Sequence, residues 1–573
     1  MENKMIIYQV LPRLFGNATE PCASNGTIEE NGCGKLNYFT AKALKEIKKL
    51  GATHIWYTGL IEHATQTDYT AIGIKQDNPI LVKGKAGSPY AIKDYYDIDP
   101  DLAVDPQKRM QEFETLVNRT HKAGLQMIID FVPNHVARQY FSDARPEGIR
   151  DFGEDDNKSC AFSPNNNFYY IPNQKLTCNF AQGTFNVQPY EELPAKATGN
   201  DLFNAYPSTN DWYETVKLNY GIDYYGGYIS KFNPIPNTWH KMLHILLYWA
   251  SKKIDGFRCD MAEMVPCAFW HWAIHKVKKQ YPDILFIAEV YNPSLYRDYL
   301  HRGGFDYLYD KVGLYDTLRS VTSGNASARS ITECWQAVDD IQTCMLNFLE
   351  NHDEQRIASD FFASNGASGK AALVVSACMN TNPFMVYAGQ EYGERGMDAE
   401  GFSGRDGRTS IFDYWSVPTL RQQALGILSE EALSLSTYYK KVLCLQSKEK
   451  ALSHGLFYDL MYVNQTDRTI FDGDRCYTFL RKYENELILI TANFSHEPKD
   501  VTIKIPTHAF EFLKMQEGVF SATDLLTGKK ESILLQKDGA YTTTVSSFDA
   551  KILKIILKKK ETTERSKNKA ALL

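Results

Sequence analysis

The 573-residue chain is predicted to be an α/β protein: a (β/α)8 TIM-type barrel with an inserted subdomain after its third strand and a C-terminal antiparallel β-sandwich. Three observations predict this. Apolar strand-like runs alternate with helix-period segments, and eight strand candidates can be counted, the number that closes such a barrel. The alternation fails once, after residue 135, over a stretch too long for an ordinary connection. Beyond about residue 449 it gives way to short alternating strands separated by turn residues, the pattern of an antiparallel sandwich.

Taken in order, residues 5–11 (MIIYQVL) form the first strand, and 39–50 (FTAKALKEIKKL) an amphipathic helix stopped by Gly51. Residues 53–58 are the second strand, and 105–123 a helix opened by Pro106 and closed by Gly124. The third strand, 125–132 (LQMIIDFV), is nearly all apolar, as expected of a strand buried on both faces. After the excursion, which is rich in Asn, Asp, Gly, Pro and Tyr, helices are predicted at 238–253, 266–280, 327–341 and 367–379. Strands are predicted at 254–260, 284–289, 305–308, 345–349 and 384–387. The chain thus divides into barrel (1–135 and 220–448), insertion (136–219), sandwich (449–557) and a charged tail (558–573) expected to be disordered.

An apolar content of 43% with 13% aromatics supports a large core, and a net charge of -6 without a basic field excludes nucleic acid as a partner class. No apolar run approaches the roughly 18 residues needed to span a membrane. The apolar run at 5–11 is broken by Pro12 and Arg13 and lacks a cleavage site, so a cytoplasmic protein is expected. Eleven scattered cysteines without a Cys-x-x-Cys pair fit reduced thiols, although Cys22 with Cys33, or Cys160 with Cys178, could pair in an oxidising compartment.

In such barrels the catalytic groups stand at the C-terminal ends of the strands. Asp130, Asn134 and His135 follow the third strand, Glu289 closes the fifth, and His352 and Asp353 follow the seventh. Arg258 and Asp260, two residues apart on the fourth, share one face. Each alone has a plainer reading, an acid as a helix N-cap or an Asn-His pair tying down a loop. Together at one barrel mouth they favour chemistry. Two carboxylates across a sugar suit retaining glycoside hydrolysis. Asp260, beside Arg258, is expected to stay ionised and act as nucleophile. Glu289, leaving the apolar run 284–288, is expected to be desolvated enough to hold a proton as acid/base. Asp353 would hold sugar hydroxyls, and His135 and His352 would hydrogen-bond while neutral.

These stretches resemble the motifs of the α-amylase superfamily, glycoside hydrolase family 13: 130–135 (DFVPNH), 256–260 (GFRCD), 286–290 (FIAEV), 348–353 (FLENHD) and 216–219 (VKLN). Residues 88–95 (SPYAIKDY) are similar to the segment whose tyrosine, here Tyr90, stacks under the cleaved sugar, and 389–391 (GQE) also fits. The resemblance implies Asp260 as nucleophile, Glu289 as acid/base and Asp353 as transition-state stabiliser, with Tyr90, Asp130, His135, Arg258 and His352 binding substrate. It implies cleavage of α-1,4-glucosidic bonds in maltodextrins or starch-type glucans, without an organic cofactor. A 4-α-glucanotransferase or maltosyltransferase on the same scaffold is the alternative, and a non-catalytic glycan-binding relative a second. The chain departs from many starch-cleaving members, which carry Lys-His three and four residues after the nucleophile; here Glu263 and Met264 stand there. Glu263 is like the acid of cyclodextrin- and pullulan-active members, offset by one, or else a helix-start acid before Pro266. Asn134 matches a residue that holds calcium in many members, and the acidic run 151–157 offers further oxygens or is simply a solvated loop. The loop 30–37 is like the family's other calcium loop but lacks its aspartates. The C-terminal sandwich is expected to be a cap on the barrel.

Overall fold

The computed structural model describes residues 4–178, 189–398, 401–465 and 467–557; the tail read as disordered lies outside the described residues. Eight parallel strands close a barrel: Ile6–Val10, His54–Tyr57, Gln126–Phe131, Gly256–Cys259, Leu285–Ala288, Tyr307–Tyr309, Met345–Phe348 and Phe384–Tyr387. Each pairs with its neighbours in chain order, and the first closes on the last with Ile6 opposite Phe384. Ile7, Trp56, Ile128, Ile287, Tyr309, Leu346, Phe348 and Met385 pack together as one cluster, one or more from every strand but the fourth. The fourth enters on Gly256, where a Cβ would meet Leu285 Cβ at 3.1 Å and Ile128 Cγ1 at 3.3 Å, so glycine lets the third, fourth and fifth strands close up.

The helices form where the apolar spacing placed them. Ala41–Leu50 is capped by the Thr40 hydroxyl, which accepts the Ala43 amide, and ends on Gly51 at φ 117, a left-handed conformation that favours glycine. Lys370–Cys378 is buried at every position after Lys370, because it is pressed between the barrel and strands Glu486–Asn493 and Asp549–Ile556 of the C-terminal region. Two segments differ from expectation. The sixth strand begins at Tyr307 rather than 305, since a π-helical turn, Asp298–Gly303, precedes it and Phe305 packs in the core. The helix predicted at 327–341 spans only Ser330–Ala337, and Val338 leaves helical geometry.

Among the described residues between 135 and 230, regular structure shrinks to three two-stranded pairs, His135–Ala137 with Thr215–Lys217, Tyr170–Ile171 with Ala195–Lys196, and Ile222–Asp223 with Ile229–Ser230. The C-terminal region holds a six-stranded antiparallel sheet and a separate pair, Lys499–Ile505 with Gly539–Val545, that share an apolar interior. Arg481, fully buried, ties this region to the barrel by donating to the carbonyl of Cys378, while it also donates to those of Leu452 and Gly455 within its own region. All eleven cysteines are free thiols, and among the described residues no helix is long and apolar enough to cross a membrane.

Candidate active site

Register builds the site. Arg258 lies opposite Asp130 on the third strand and Ile287 on the fifth, so their side chains share the barrel-facing side. Two residues further, at the strand ends, the same period delivers Asp260 and Glu289. Phe257 and Cys259 point the other way into the helix-facing core, with Phe257 edge-on to Phe131. The sheet hydrogen bonding continues one residue past each strand, Asp260 N–H to Phe131 O and Glu289 N–H to Cys259 O, which fixes both carboxylates on rigid backbone.

Arg258 is 1% exposed and is shared among acids: one Nη lies 2.8 Å from Asp260 and 3.5 Å from Asp130, the other 2.8 Å from Glu289. Its Nε donates to the Tyr309 hydroxyl, and Trp56, Tyr90 and Tyr309 rings surround it with centroids at 5.1, 5.4 and 5.5 Å. Burial pushes the Asp260 carboxyl well above the usual range; Arg258 pulls it down, but Glu289, Asp353 and Asp130 add to the upward push. Arg258, expected from the sequence to keep Asp260 ionised, is thus opposed by burial and by three neighbouring acids. One guanidinium divided over three acids does not outweigh desolvation.

Glu289 accepts from three directions: Arg258, the Met261 amide at 2.8 Å and the Tyr291 hydroxyl at 2.6 Å. Met261 makes its contact from a left-handed conformation, φ 43 and ψ 43, uncommon for a side chain of this kind and placed directly after Asp260. Asp353 has 37% of its side chain exposed. Burial works against its ionised form, yet His352, Arg258 and Arg408 bring the carboxyl down to about 2. His352 is fully buried, with Nε2 3.0 Å from Asp353 and also bonded to the Tyr90 hydroxyl, and with Nδ1 2.7 Å from the Gln9 amide. Burial, then Lys217, lowers His135 to about 3, so it is neutral.

A cavity of about 310 Å³ opens over these groups, lined by Tyr90, His135, Asp260, Glu289 and Asp353 together with Trp212 and Tyr291. The structure thus brings five of the residues named from sequence to one surface. Asp130, Arg258 and His352 stand behind it: Asp130 accepts the Gly59 amide and backs Arg258 rather than lining the cavity. Glu263 is elsewhere. It does not line this cavity, and one oxygen of its carboxylate accepts the amides of Tyr291 and Asn292, pinning the loop after the fifth strand.

The residues around Asn134 do not fit a calcium ion. Its side-chain oxygen accepts the Lys217 ammonium at 2.6 Å, its amide donates to Gly199 O, and Lys217 pairs with Asp201 at 2.6 Å. A buried ammonium already supplies the positive charge there. Nor is the 151–157 run free, since Asp151 pairs with Arg145 and Asp156 accepts the Asn167 and Phe168 amides. In the 30–37 loop Glu30 closes a capping box with Thr27.

Sequence reasoning missed Gln9, Trp212, Met261 and Tyr291, and gave Lys217, inside the 216–219 motif, no role of its own. Gln9, a lone polar residue inside an apolar strand, was the legible signal; Trp212 and Lys217 lie in a stretch without periodicity.

Residues 9–415 match the family described as alpha amylase, catalytic domain. The cyclomaltodextrinase of Thermoanaerobacter pseudethanolicus is 21% identical over 529 residues, covering 89% of this chain and 74% of the relative. Neopullulanase 2 of Thermoactinomyces vulgaris is 21% identical over 566 residues, covering 96% and 77%. Among solved structures, the maltogenic alpha-amylase AmyB of Thermotoga neapolitana superposes with a TM-score of 0.61 at 20% identity, over 97% of this chain and 99% of that one. The acarbose-complexed alpha-amylase of Geobacillus thermoleovorans gives 0.62 at 19%, with the same coverage.

Proposed function

The chain belongs to the α-amylase catalytic-domain family, a family of glycosidases, and from this premise we propose that it hydrolyses α-1,4-glucosidic bonds of maltodextrins with retention of anomeric configuration. The observation that carries the reading is the placement of Asp260, Glu289 and Asp353 on one cavity, with Arg258 buried behind the first two.

Tyr90, anchored through its hydroxyl on His352, offers its ring to the sugar whose bond is cleaved. Asp260 and Glu289 share Arg258, and the reactive arrangement has Asp260 as carboxylate with the proton on Glu289. Positive charge developing at the anomeric carbon favours the ionised form of Asp260 at the moment it is needed. An Asp260 oxygen then bonds to the anomeric carbon while the glycosidic C–O bond breaks and the Glu289 proton passes to the leaving oxygen. In the second half Glu289, now a carboxylate, takes a proton from water. The water oxygen bonds to the anomeric carbon and Asp260 departs as carboxylate. Asp353, kept ionised by its cationic surroundings, holds sugar hydroxyls throughout. We place this activity inside the cell, since eleven unpaired thiols suit a reducing compartment.

Proton NMR of the purified protein with maltoheptaose tests the reading. Shorter products released first as the α-anomer, and none with Asp260→Asn, are expected. Products longer than the donor would move the assignment to a glucanotransferase. A β-anomer would overturn the retaining mechanism.

A further inference from the structure

On the loop leaving the second barrel strand, Glu62 is 1% exposed, and among the described residues neither of its carboxylate oxygens has a hydrogen-bond partner. Buried carboxylates are ordinarily satisfied, and leaving one without partners is costly. What faces Glu62 is more negative charge: one oxygen each from Glu62, Asp94 and Asp143 lie within 4.8 Å of one another. We propose that Glu62, Asp94 and Asp143 form a binding site for a divalent, oxygen-preferring cation of the calcium class, at the junction of the barrel with the start of the insertion.

The spacing is the first argument. Oxygens that each sit about 2.4 Å from a shared calcium ion lie roughly 3 to 5 Å apart, and the three oxygens here fall within the 4.8 Å that such an ion spans. Ligand capacity is the second. Asp94 accepts the Ser142 hydroxyl and the amides of Tyr96 and Ala144, three of the four or so lone-pair directions of a carboxylate, and so keeps one for an ion while its orientation is fixed. Glu62 has both oxygens to give, and Asp143, exposed, opens the site to water and to ion entry. The third is charge. The nearby cations are engaged elsewhere: Lys93 with Asp77, Arg145 with Asp151, and Arg109 with Asp97 at 2.5 Å while reaching Asp143 only at 3.9 Å. Burial, and then Asp94 and Asp143, push the Glu62 carboxyl well above its usual range, and Lys93 offsets this only in part.

The three ligands come from separate stretches. The Glu62 carbonyl accepts the Lys93 and Asp94 amides, and Asp94 adjoins Tyr95, whose hydroxyl bonds the carbonyls of Val132 and His135. An ion here would clamp the segment that carries Tyr90 to the base of the insertion. It is a different place from Asn134, whose surroundings hold an ammonium.

The test uses the full chain after EDTA treatment, titrated with calcium chloride and followed by thermal unfolding and, with terbium in its place, by sensitised luminescence. Calcium is expected to raise Tm by several degrees. Asp143→Asn, at an exposed position, should weaken the response by about tenfold or more. Glu62→Gln should abolish it while raising Tm of the EDTA-treated protein, because a neutral amide relieves the repulsion; a merely structural glutamate would lower it. A magnesium titration that matches calcium would also support the site and widen its class. The proposal is overturned if millimolar calcium moves neither signal, or if the shift survives unchanged in Asp143→Asn, which keeps the test decisive should Glu62→Gln not fold.

Discussion

Replacing Arg258 by Met removes the guanidinium that faces Asp260, Glu289 and Asp130 but keeps apolar bulk between Trp56, Tyr90 and Tyr309. Two contacts at 2.8 Å between buried groups are lost. Breaking a buried ion pair costs about 3–5 kcal/mol when the remaining charge stays ionised. Asp260 and Asp130, both already pushed upward by burial, escape that cost by binding protons. Their folded-state affinity for protons rises above the unfolded one, so the stability they retain is present at low pH and lost as pH rises. The variant should therefore unfold close to the wild-type temperature near pH 5, and lose the full ~3–5 kcal/mol near pH 8. Activity near pH 7 should fall by about 10² to 10⁴, since Asp260 is less often ionised, each unit of upward shift costing about tenfold, and neither acid is held in place. Arg258→Lys should recover stability more than activity, because an ammonium reaches one carboxylate where the planar fork reaches two. Thermal unfolding across pH and kcat/KM on maltoheptaose check this. A loss of Tm that is the same at both pH values, or a kcat/KM within about tenfold of wild type, would refute the reasoning.

Two further outcomes follow from buried charges away from the cavity. Lys217→Met leaves the Asn134 oxygen and the partly exposed Asp201 carboxylate without their ammonium, and a loss of about 2–4 kcal/mol in denaturant unfolding is expected, with no rescue by calcium if the ammonium truly takes the ion's place. Glu391, at the end of the eighth strand, is pushed up to about 7 by burial, despite accepting the Tyr8 hydroxyl and the Gly389 amide. Its folded value exceeds the unfolded 4.5, so the stabilising contribution of the protonated form is complete below pH 4.5 and is lost as pH rises through about 7. Glu391→Gln should flatten that decline, worth about 3 kcal/mol, and unfold at a higher temperature than wild type near pH 8.

The sequence by itself determined the barrel and the identity of its acids. Strand and helix periods are local properties, and catalytic groups of a (β/α)8 barrel stand at predictable strand ends, so Asp260, Glu289 and Asp353 were legible from pattern and position alone. The all-apolar run of the third strand likewise announced a strand buried on both faces. Only the tertiary structure decided how charge is distributed among those acids. Reading along one strand assigns Arg258 to Asp260, its neighbour two residues away; the register of three strands gives it to Glu289 and Asp130 as well. The Asn134 oxygen is met by an ammonium 83 positions along the chain, and Glu263 turns to amides 28 and 29 positions on. Desolvation and long-range pairing set proton affinity and ion binding, and both depend on which distant residues close around a group, information that no local period carries.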